Sequence, residues 1–62
     1  MHRWFSVKEQ LPPEGHIVHT KIHDEYGYRN EARLLYRDGR WWLKDGSMYI
    51  YYVPTHWRPI DA

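Results

Sequence analysis

The chain has 62 residues, which sets its size at one small domain, residues 1–62. It has no cysteine and therefore no disulfide, so its 4 Trp, 6 Tyr and 1 Phe must supply much of the buried area. The formal net charge of +1 gives no global electrostatic argument for nucleic acid or a membrane surface, and we expect neither a signal peptide nor a membrane span.

The first predicted element is one helical turn near the N-terminus. Ser6 and Glu9 have the spacing of a capping box, in which a serine caps the turn and a glutamate follows three residues later. Pro12 and Pro13 stop any longer helix, because proline has no N–H to donate and its ring clashes with the preceding turn. We expect three side chains of this segment to cover one open side of the sheet: Trp4, Val7 and Leu11.

A strand follows at residues 17–23, where apolar and polar side chains alternate. The histidines of this region, His16, His19 and His23, raise the question of a metal site. His19 and His23 share a face but lie about 13 Å apart on a regular strand, whereas zinc needs ligand atoms about 2 Å away. We therefore predict no metal site and no bound cofactor.

Residues 31–53 predict three antiparallel strands joined by two tight turns at residues 38–39 and 45–46. Both turns are Asp-Gly, which suits a type I′ turn because its two central residues need positive φ. Pro54 ends the last strand, since proline cannot donate to a ladder. The predicted fold class is therefore all-β: a small antiparallel meander of about four strands, with a short fifth strand at residues 55–57 and a barrel-like curl as options.

Two-residue turns fix the register and so divide the side chains between two faces, because side chains alternate along a strand. In this register Tyr36 lies opposite Trp41, and Trp42 lies opposite both Leu35 and Tyr49. The apolar face, predicted to be the core side, carries Ala32, Leu34, Tyr36, Trp41, Leu43, Met48, Ile50 and Tyr52. The opposite face, here called the basic-aromatic face, carries Arg33, Leu35, Arg37, Arg40, Trp42, Lys44, Tyr49 and Tyr51.

Each end of the chain carries a short motif: residues 4–12 are WFSVKEQLP, and residues 55–60 are THWRPI. These motifs look like the W-[IF]-S-V-x-x-x-L-P opening and the T-H-W-x-P-[LI] ending of a known family, domain of unknown function 551. Arg58 departs from the apolar residue usual at its position, and Pro54 interrupts the last strand. The resemblance covers nearly the whole chain and implies a small β-rich protein of phages or prophages that acts in the bacterial cytoplasm. It implies no activity and assigns no catalytic residue.

No pattern in the sequence predicts a reaction. Thr55 and His56 are neighbours, and a hydroxyl beside a histidine suggests nucleophile chemistry. Neighbours on a strand point to opposite faces, however, so we expect these two side chains not to meet. Ser6 is better explained as a helix cap than as a nucleophile. We predict that the chain is not an enzyme and has no catalytic residue.

The basic-aromatic face is the one feature with functional content, and three interpretations stay open. Arg, Trp and Tyr are enriched at protein interfaces, so the face can bind another protein or a second copy of this chain. Basic and aromatic side chains on a sheet can also bind single-stranded nucleic acid. Finally, the N-terminal segment or another subunit can cover the face. We favour a module that binds an unidentified host or phage protein, because the near-neutral net charge argues against nucleic acid.

Overall fold

The computed structural model describes residues 3–60, which form one sheet of five antiparallel strands. The all-β prediction is confirmed, and the single domain over residues 1–62 stays a prediction. The strands are β1 (Phe5–Ser6), β2 (His16–Asp24), β3 (Gly27–Arg37), β4 (Arg40–Trp42) and β5 (His56–Arg58), in the spatial order β1-β5-β2-β3-β4. No helix among the described residues is long and apolar enough to cross a membrane.

The long hairpin of β2 and β3 is the frame of the sheet. Its strands continue to a turn at residues 25–26, beyond the strand predicted at residues 17–23. A β-bulge shifts the register between Thr20 and Ile22 of β2. Opposite this point Asn30 has a φ of 55°, a left-handed conformation that asparagine adopts more readily than most residues. The bulge absorbs one extra residue of β3, so the alternation of faces along β2 is unbroken.

The first tight turn is confirmed. Asp38 and Gly39 have φ values of 53° and 73°, the positive values that a type I′ turn requires. β4 consequently pairs with β3 in the predicted register: Arg37 with Arg40, Tyr36 with Trp41, and Leu35 with Trp42. This local geometry decides which side of the sheet receives each of the two tryptophans.

The second turn keeps the predicted register but does not lead into a regular strand. Trp42 faces Tyr49 in an isolated bridge. The Leu43 N–H donates to the Met48 carbonyl oxygen at 3.0 Å, and the Ile50 N–H donates to the Trp41 carbonyl oxygen at 2.8 Å, both in the same register. The turn itself is wider than two residues. The Gly46 N–H donates to the Leu43 carbonyl oxygen at 2.8 Å, and the glycine alone of this Asp-Gly pair has a positive φ. No regular strand follows the turn, so the predicted third strand of this hairpin is wrong.

Residues 43–55, here called the crossing segment, lead the chain from the β4 edge of the sheet to β5, which lies on the far side of β2. Ile50 packs against the core, and Pro54 is fully buried. The Thr55 N–H donates to the Lys21 carbonyl oxygen at 3.0 Å, and β5 then pairs with β2. The short fifth strand therefore exists, but as a neighbour of β2. Because β1 and β4 remain separate edges, the sheet is not closed and the barrel-like option is not realised.

The core lies on the predicted face of β3 and β4. Five residues form the buried cluster: Val18, Leu34, Tyr36, Trp41 and Trp57. Three further predicted core residues are half-buried: Ala32, Ile50 and Tyr52. The prediction is wrong for Leu43 and Met48, which are 40% and 59% exposed, because they flank the second turn and do not lie on a strand over the core.

One hydrogen-bonded turn follows β1, at the place predicted for the helical turn. The Glu9 and Gln10 N–H groups each donate to the Ser6 carbonyl oxygen at 3.0 Å. The Lys8 N–H donates to the Ser6 hydroxyl oxygen at 3.3 Å, which is the predicted capping role. The turn is too short to be a helix, as Pro12 dictates.

The N-terminal segment covers the core partly through other residues than those predicted. Val7 packs on the core cluster as expected, and Phe5 packs on Trp57 with ring centroids 5.0 Å apart. Leu11, in contrast, is 53% exposed. Trp4 stacks on His19 and Arg58, which lie on the side of the sheet opposite to the core. The prediction that Trp4, Val7 and Leu11 cover one side of the sheet is therefore wrong for Leu11, which is exposed, and for Trp4, which covers the other side.

Candidate binding face

The basic-aromatic face lies on the side of β3 and β4 that points away from the core. Five of its eight predicted side chains are exposed: Arg33, Arg40, Lys44, Tyr49 and Tyr51. The other three are half-buried: Leu35, Arg37 and Trp42. None of the eight is buried, so within residues 3–60 no segment covers the β3–β4 part of this face as a second core layer.

Two arginines on this face are each stacked on an aromatic ring. Cζ of Arg37 lies 4.1 Å from the ring centroid of Trp42, and Cζ of Arg40 lies 4.6 Å from that of Tyr49. The two rings meet edge to face with centroids 5.6 Å apart. The like charges of Arg37 and Arg40, which are paired across the first turn, are thereby each offset by an electron-rich ring face. We call these four residues the β4 cluster.

Hydrogen bonds to the backbone hold the β4 cluster in place. The Trp42 indole N–H donates to the Arg37 carbonyl oxygen at 2.9 Å. Nη2 of Arg37 donates to the Gly46 carbonyl oxygen at 3.3 Å, so the second turn anchors the same arginine. Side chains fixed before binding lose less conformational entropy when a partner arrives.

Two predicted members of the face lie outside β3, β4 and the bridge between Trp42 and Tyr49. Lys44 lies in the second turn, and Tyr51 lies in the crossing segment. Tyr51 is 95% exposed and contacts Tyr52 edge to face, with centroids 5.5 Å apart. Their predicted positions assumed a regular third strand after the second turn, and no such strand forms.

The structure adds a second group of stacked cations that sequence reasoning missed. Nζ of Lys21 lies 4.3 Å from the ring centroid of Trp4 and 4.7 Å from that of Tyr28. Cζ of Arg58 lies 4.4 Å from the centroid of Trp4. Lys21 is only 7% exposed, because its ammonium lies against both rings. We call these four residues the β5 cluster.

Strand pairing places the β5 cluster on the same side of the sheet as the β4 cluster. His19 of β2 lies opposite Arg58 of β5 and opposite Arg33 of β3. Residues directly opposite each other share a face, and Arg33 belongs to the predicted basic-aromatic face. The face therefore runs across the whole sheet. Basic and aromatic residues near the two chain ends belong to this face. The sequence alone does not reveal this, because it depends on the pairing of β2 with β5.

A chain of polar contacts positions Arg58. Its Nε donates to Nδ1 of His19 at 3.0 Å, and Nε2 of His19 lies 2.9 Å from a carboxylate oxygen of Glu31. Since Nδ1 accepts, the proton of the neutral imidazole lies on Nε2 and is donated to Glu31. The Tyr28 hydroxyl donates to the same carboxylate at 3.2 Å. Partial desolvation, and then this carboxylate, raises the pKa of Tyr28.

Positive charge is concentrated on this face although the whole chain is nearly neutral. Five of the nine Lys and Arg residues lie on it: Lys21, Arg33, Arg37, Arg40 and Arg58. Asp24, in contrast, lies at the far end of the β2–β3 hairpin and pairs with Arg29 at 2.9 Å. The hydrogen bond from Arg29 lowers the pKa of Asp24. A net charge of +1 therefore does not describe the field that a partner meets at this face.

The prediction that Thr55 and His56 do not meet is wrong. Oγ1 of Thr55 lies 2.7 Å from Nδ1 of His56, because Thr55 precedes β5 and does not follow the alternation of a strand. The same hydroxyl oxygen accepts the His23 N–H at 2.8 Å. Burial, and then the charges of Lys21 and His23, lowers the pKa of His56. The pair links the start of β5 to the end of β2 and has a structural role.

A cavity of about 440 Å³ opens beside this pair, between the turn after β1 and the crossing segment. Val7, Val53 and Pro54 contribute much of its apolar lining, with His23 and His56 among the polar residues. Within residues 3–60, no group of three or more His, Asp or Glu side chains is placed to hold a metal ion. The absence of a metal site and of enzymatic activity stays a prediction.

Fold and face together define a small, open antiparallel β-sheet protein with one apolar core side and one basic-aromatic side. No protein-family model, curated protein or solved structure matches this chain. The resemblance of its two ends to domain of unknown function 551 therefore stays a prediction.

Proposed function

We propose that this chain is a non-enzymatic module that binds another protein through its basic-aromatic face. The observation that carries the proposal is the β4 cluster, in which Arg37 and Arg40 are held on the rings of Trp42 and Tyr49. Arg, Trp and Tyr are also the residues that most often dominate the binding energy of protein interfaces. A guanidinium group that is already held on a ring loses less conformational entropy when a partner binds than a freely rotating side chain does.

Exposed apolar side chains of the crossing segment favour a protein partner. Leu43, Met48, Tyr51 and Val53 are all exposed, although this short segment also contributes Ile50 to the core. Exposed aliphatic and aromatic side chains are features of protein-binding surfaces. Such aliphatic side chains would gain little from a phosphate backbone.

The stacking geometry gives less support to single-stranded nucleic acid. Nucleic-acid bases stack on aromatic rings. Trp4, Trp42 and Tyr49 are each already stacked against a cation of the protein. Five clustered cations nevertheless suit phosphate groups, so nucleic acid is the alternative that an experiment must separate.

The resemblance of the two end motifs supports the biological setting of this proposal. It favours an accessory protein of a phage or prophage that acts in the bacterial cytoplasm. The proposed partner is accordingly a host or phage protein, and a second copy of this chain is the competing protein partner.

Affinity capture from nuclease-treated bacterial lysate, with matched variants, tests the proposal. Tyr49→Ser together with Arg40→Gln removes one of the two stacked pairs of the β4 cluster. Tyr26→Ser removes a ring at the β2–β3 turn that is also exposed, at 81%. We expect the wild type and Tyr26→Ser to retain the same protein and the double variant to lose it.

The retained protein is then purified and titrated against the same three chains. Equal affinity for all three would contradict the proposed interface. Loss of all capture after nuclease treatment, with tight oligonucleotide binding whose affinity falls steeply with salt, would favour nucleic acid instead. Sedimentation of the isolated chain reports whether the partner is a second copy.

A further inference from the structure

The β5 cluster holds two cations in place against the ring of Trp4. The guanidinium group of Arg58 is stacked on Trp4, and its Nε is bonded to His19. Within residues 3–60 its two Nη groups have no hydrogen-bond partner, so these remain as donors in the forked geometry that suits a carboxylate. Lys21 adds a second positive charge 4.3 Å from the same ring.

The strand register gives the separation of the two clusters. Arg58 on β5 and Trp42 on β4 are three strand spacings apart in the order β5-β2-β3-β4, about 14 Å. Along the strands, Arg58 is level with Arg33, and Trp42 is level with Leu35. Arg33 and Leu35 are two residues apart on β3, so the two clusters are also offset by about 7 Å along the strands. The diagonal is about 16 Å, which is the length of about five residues of extended chain.

We infer that the two clusters together bind one extended acidic segment of a protein partner, with carboxylates about five residues apart. The inference rests on the proposed function and names the chemistry of the partner. Charge complementarity supports this inference, because the face carries five cations. The carboxylate of Glu31 on the same face is already in contact with the side chains of His19 and Tyr28. The open sheet between the clusters, around Arg33, gives an extended chain room to lie across the strands.

Two synthetic peptides of identical composition test the spacing. Each has four glutamates among serines and glycines; in one they form two pairs whose centres are about five residues apart, and in the other they are contiguous. Binding is followed by the indole N–H NMR signals of Trp4 and Trp42. We expect the spaced peptide to shift both signals with a single dissociation constant and to bind about tenfold more tightly, because the second contact becomes intramolecular.

Arg58→Gln tests the contribution of the β5 cluster, with Arg29→Gln as a matched control outside both clusters. We expect Arg58→Gln to bring the spaced peptide down to the affinity of the contiguous peptide and Arg29→Gln to leave it unchanged. Because Arg58 also packs on Trp4, the NMR spectrum of each variant must first show the native fold. Arg58→Lys, which keeps the charge but loses the fork, is expected to fall between the two.

The outcomes separate this inference from the proposed function. A spaced peptide that shifts only Trp42, or that is insensitive to Arg58→Gln, would overturn the second site and leave the β4 cluster as the interface. If neither peptide shifts the Trp4 or the Trp42 signal, and an oligothymidylate binds with a steep salt dependence, both this inference and the proposed function would be overturned. Two independent dissociation constants would show two sites that do not share one segment.

Discussion

Trp41 and Trp42 are adjacent in sequence and have opposite roles. Trp41 is 5% exposed and packs on Tyr36 with ring centroids 5.0 Å apart, inside the core. Trp42 is half-buried on the other side of the sheet, where it carries the Arg37 guanidinium group. The first turn produces this division, because a shift of one residue would exchange the two rings.

We predict that Trp41→Ala destabilises the fold far more than Trp42→Ala. Removing a buried tryptophan costs about 3–5 kcal/mol, which is a large part of the stability of a domain this small. Trp42→Ala removes a partly exposed ring and one hydrogen bond, so its cost should be clearly smaller. Urea unfolding followed by circular dichroism measures both, and the reverse order would contradict the assigned faces.

His56 makes the stability of the protein depend on pH. Its pKa in the folded state is lowered from 6.5, first by burial and then by Lys21 and His23. The unfolded chain therefore binds the proton more tightly than the folded chain does. The contribution of His56 to the free energy of unfolding is complete above the pKa of this group in the unfolded chain. It decreases as the pH falls from that value through the lower pKa of the folded chain.

We therefore expect the free energy of unfolding to be smaller at pH 5 than at pH 7.5, and His56→Gln to reduce this difference. An NMR titration of the imidazole signals gives the direct measurement. A pKa for His56 at or above its ordinary value would contradict the assignment.

The two tight turns differ in what surrounds their glycines. Gly39 and Gly46 have nearly equal positive φ values, 73° and 74°. A Cβ on Gly39 would meet nothing within 4 Å, whereas a Cβ on Gly46 would lie 3.1 Å from Nη1 of Arg37. The second turn is therefore fitted to the side chain that stacks on Trp42.

We predict that Gly39→Ala and Gly46→Ala each cost about 1–2 kcal/mol from the left-handed backbone. Gly46→Ala should in addition displace Arg37 and shift the indole N–H signal of Trp42, while Gly39→Ala should leave that signal nearly in place. Thermal unfolding and a two-dimensional NMR spectrum of each variant test this. An equal shift of the Trp42 signal in both variants would contradict the contact.

The edges of the sheet limit self-association through strand pairing. β1 has two residues and β4 has three, so neither edge offers a long ladder. The part of β3 beyond its pairing with β4 carries Arg29, Glu31 and Arg33 and the bulge at Asn30. Short strands, charges and bulges are features that protect exposed edges. The basic-aromatic face would in turn repel its own copy, which favours a different protein as the partner.

The fold brings together two histidines that are far apart in the sequence. His23 and His56 come from distant parts of the chain, and their ring centroids are 6.2 Å apart. One of the nitrogens of His56 already contacts the Thr55 hydroxyl. We expect stoichiometric zinc to leave the unfolding midpoint unchanged in calorimetry. A saturable rise in the midpoint would show that the folded state binds the ion and would contradict the prediction.

The sequence by itself determined the geometry of the hairpin of β3 and β4. Asp38-Gly39 specified the first turn, because few residue pairs accept two positive φ values. That turn and the alternation of side chains placed Tyr36 and Trp41 in the core and Arg37 and Trp42 on the basic-aromatic face. These features depend on residues close in the chain, and steric rules act at that range.

Tertiary structure alone decided how the ends of the chain meet the central hairpin. Nothing local in residues 51–53 shows that the chain leaves its pairing with β4 after Ile50, because aromatic and aliphatic side chains suit a strand and a covering segment equally. The pairing of β5 with β2, and with it the β5 cluster, joins Arg58 to His19 across 39 positions. Such pairings depend on how the whole chain buries its apolar area, and the sequence pattern of either strand does not name its neighbour.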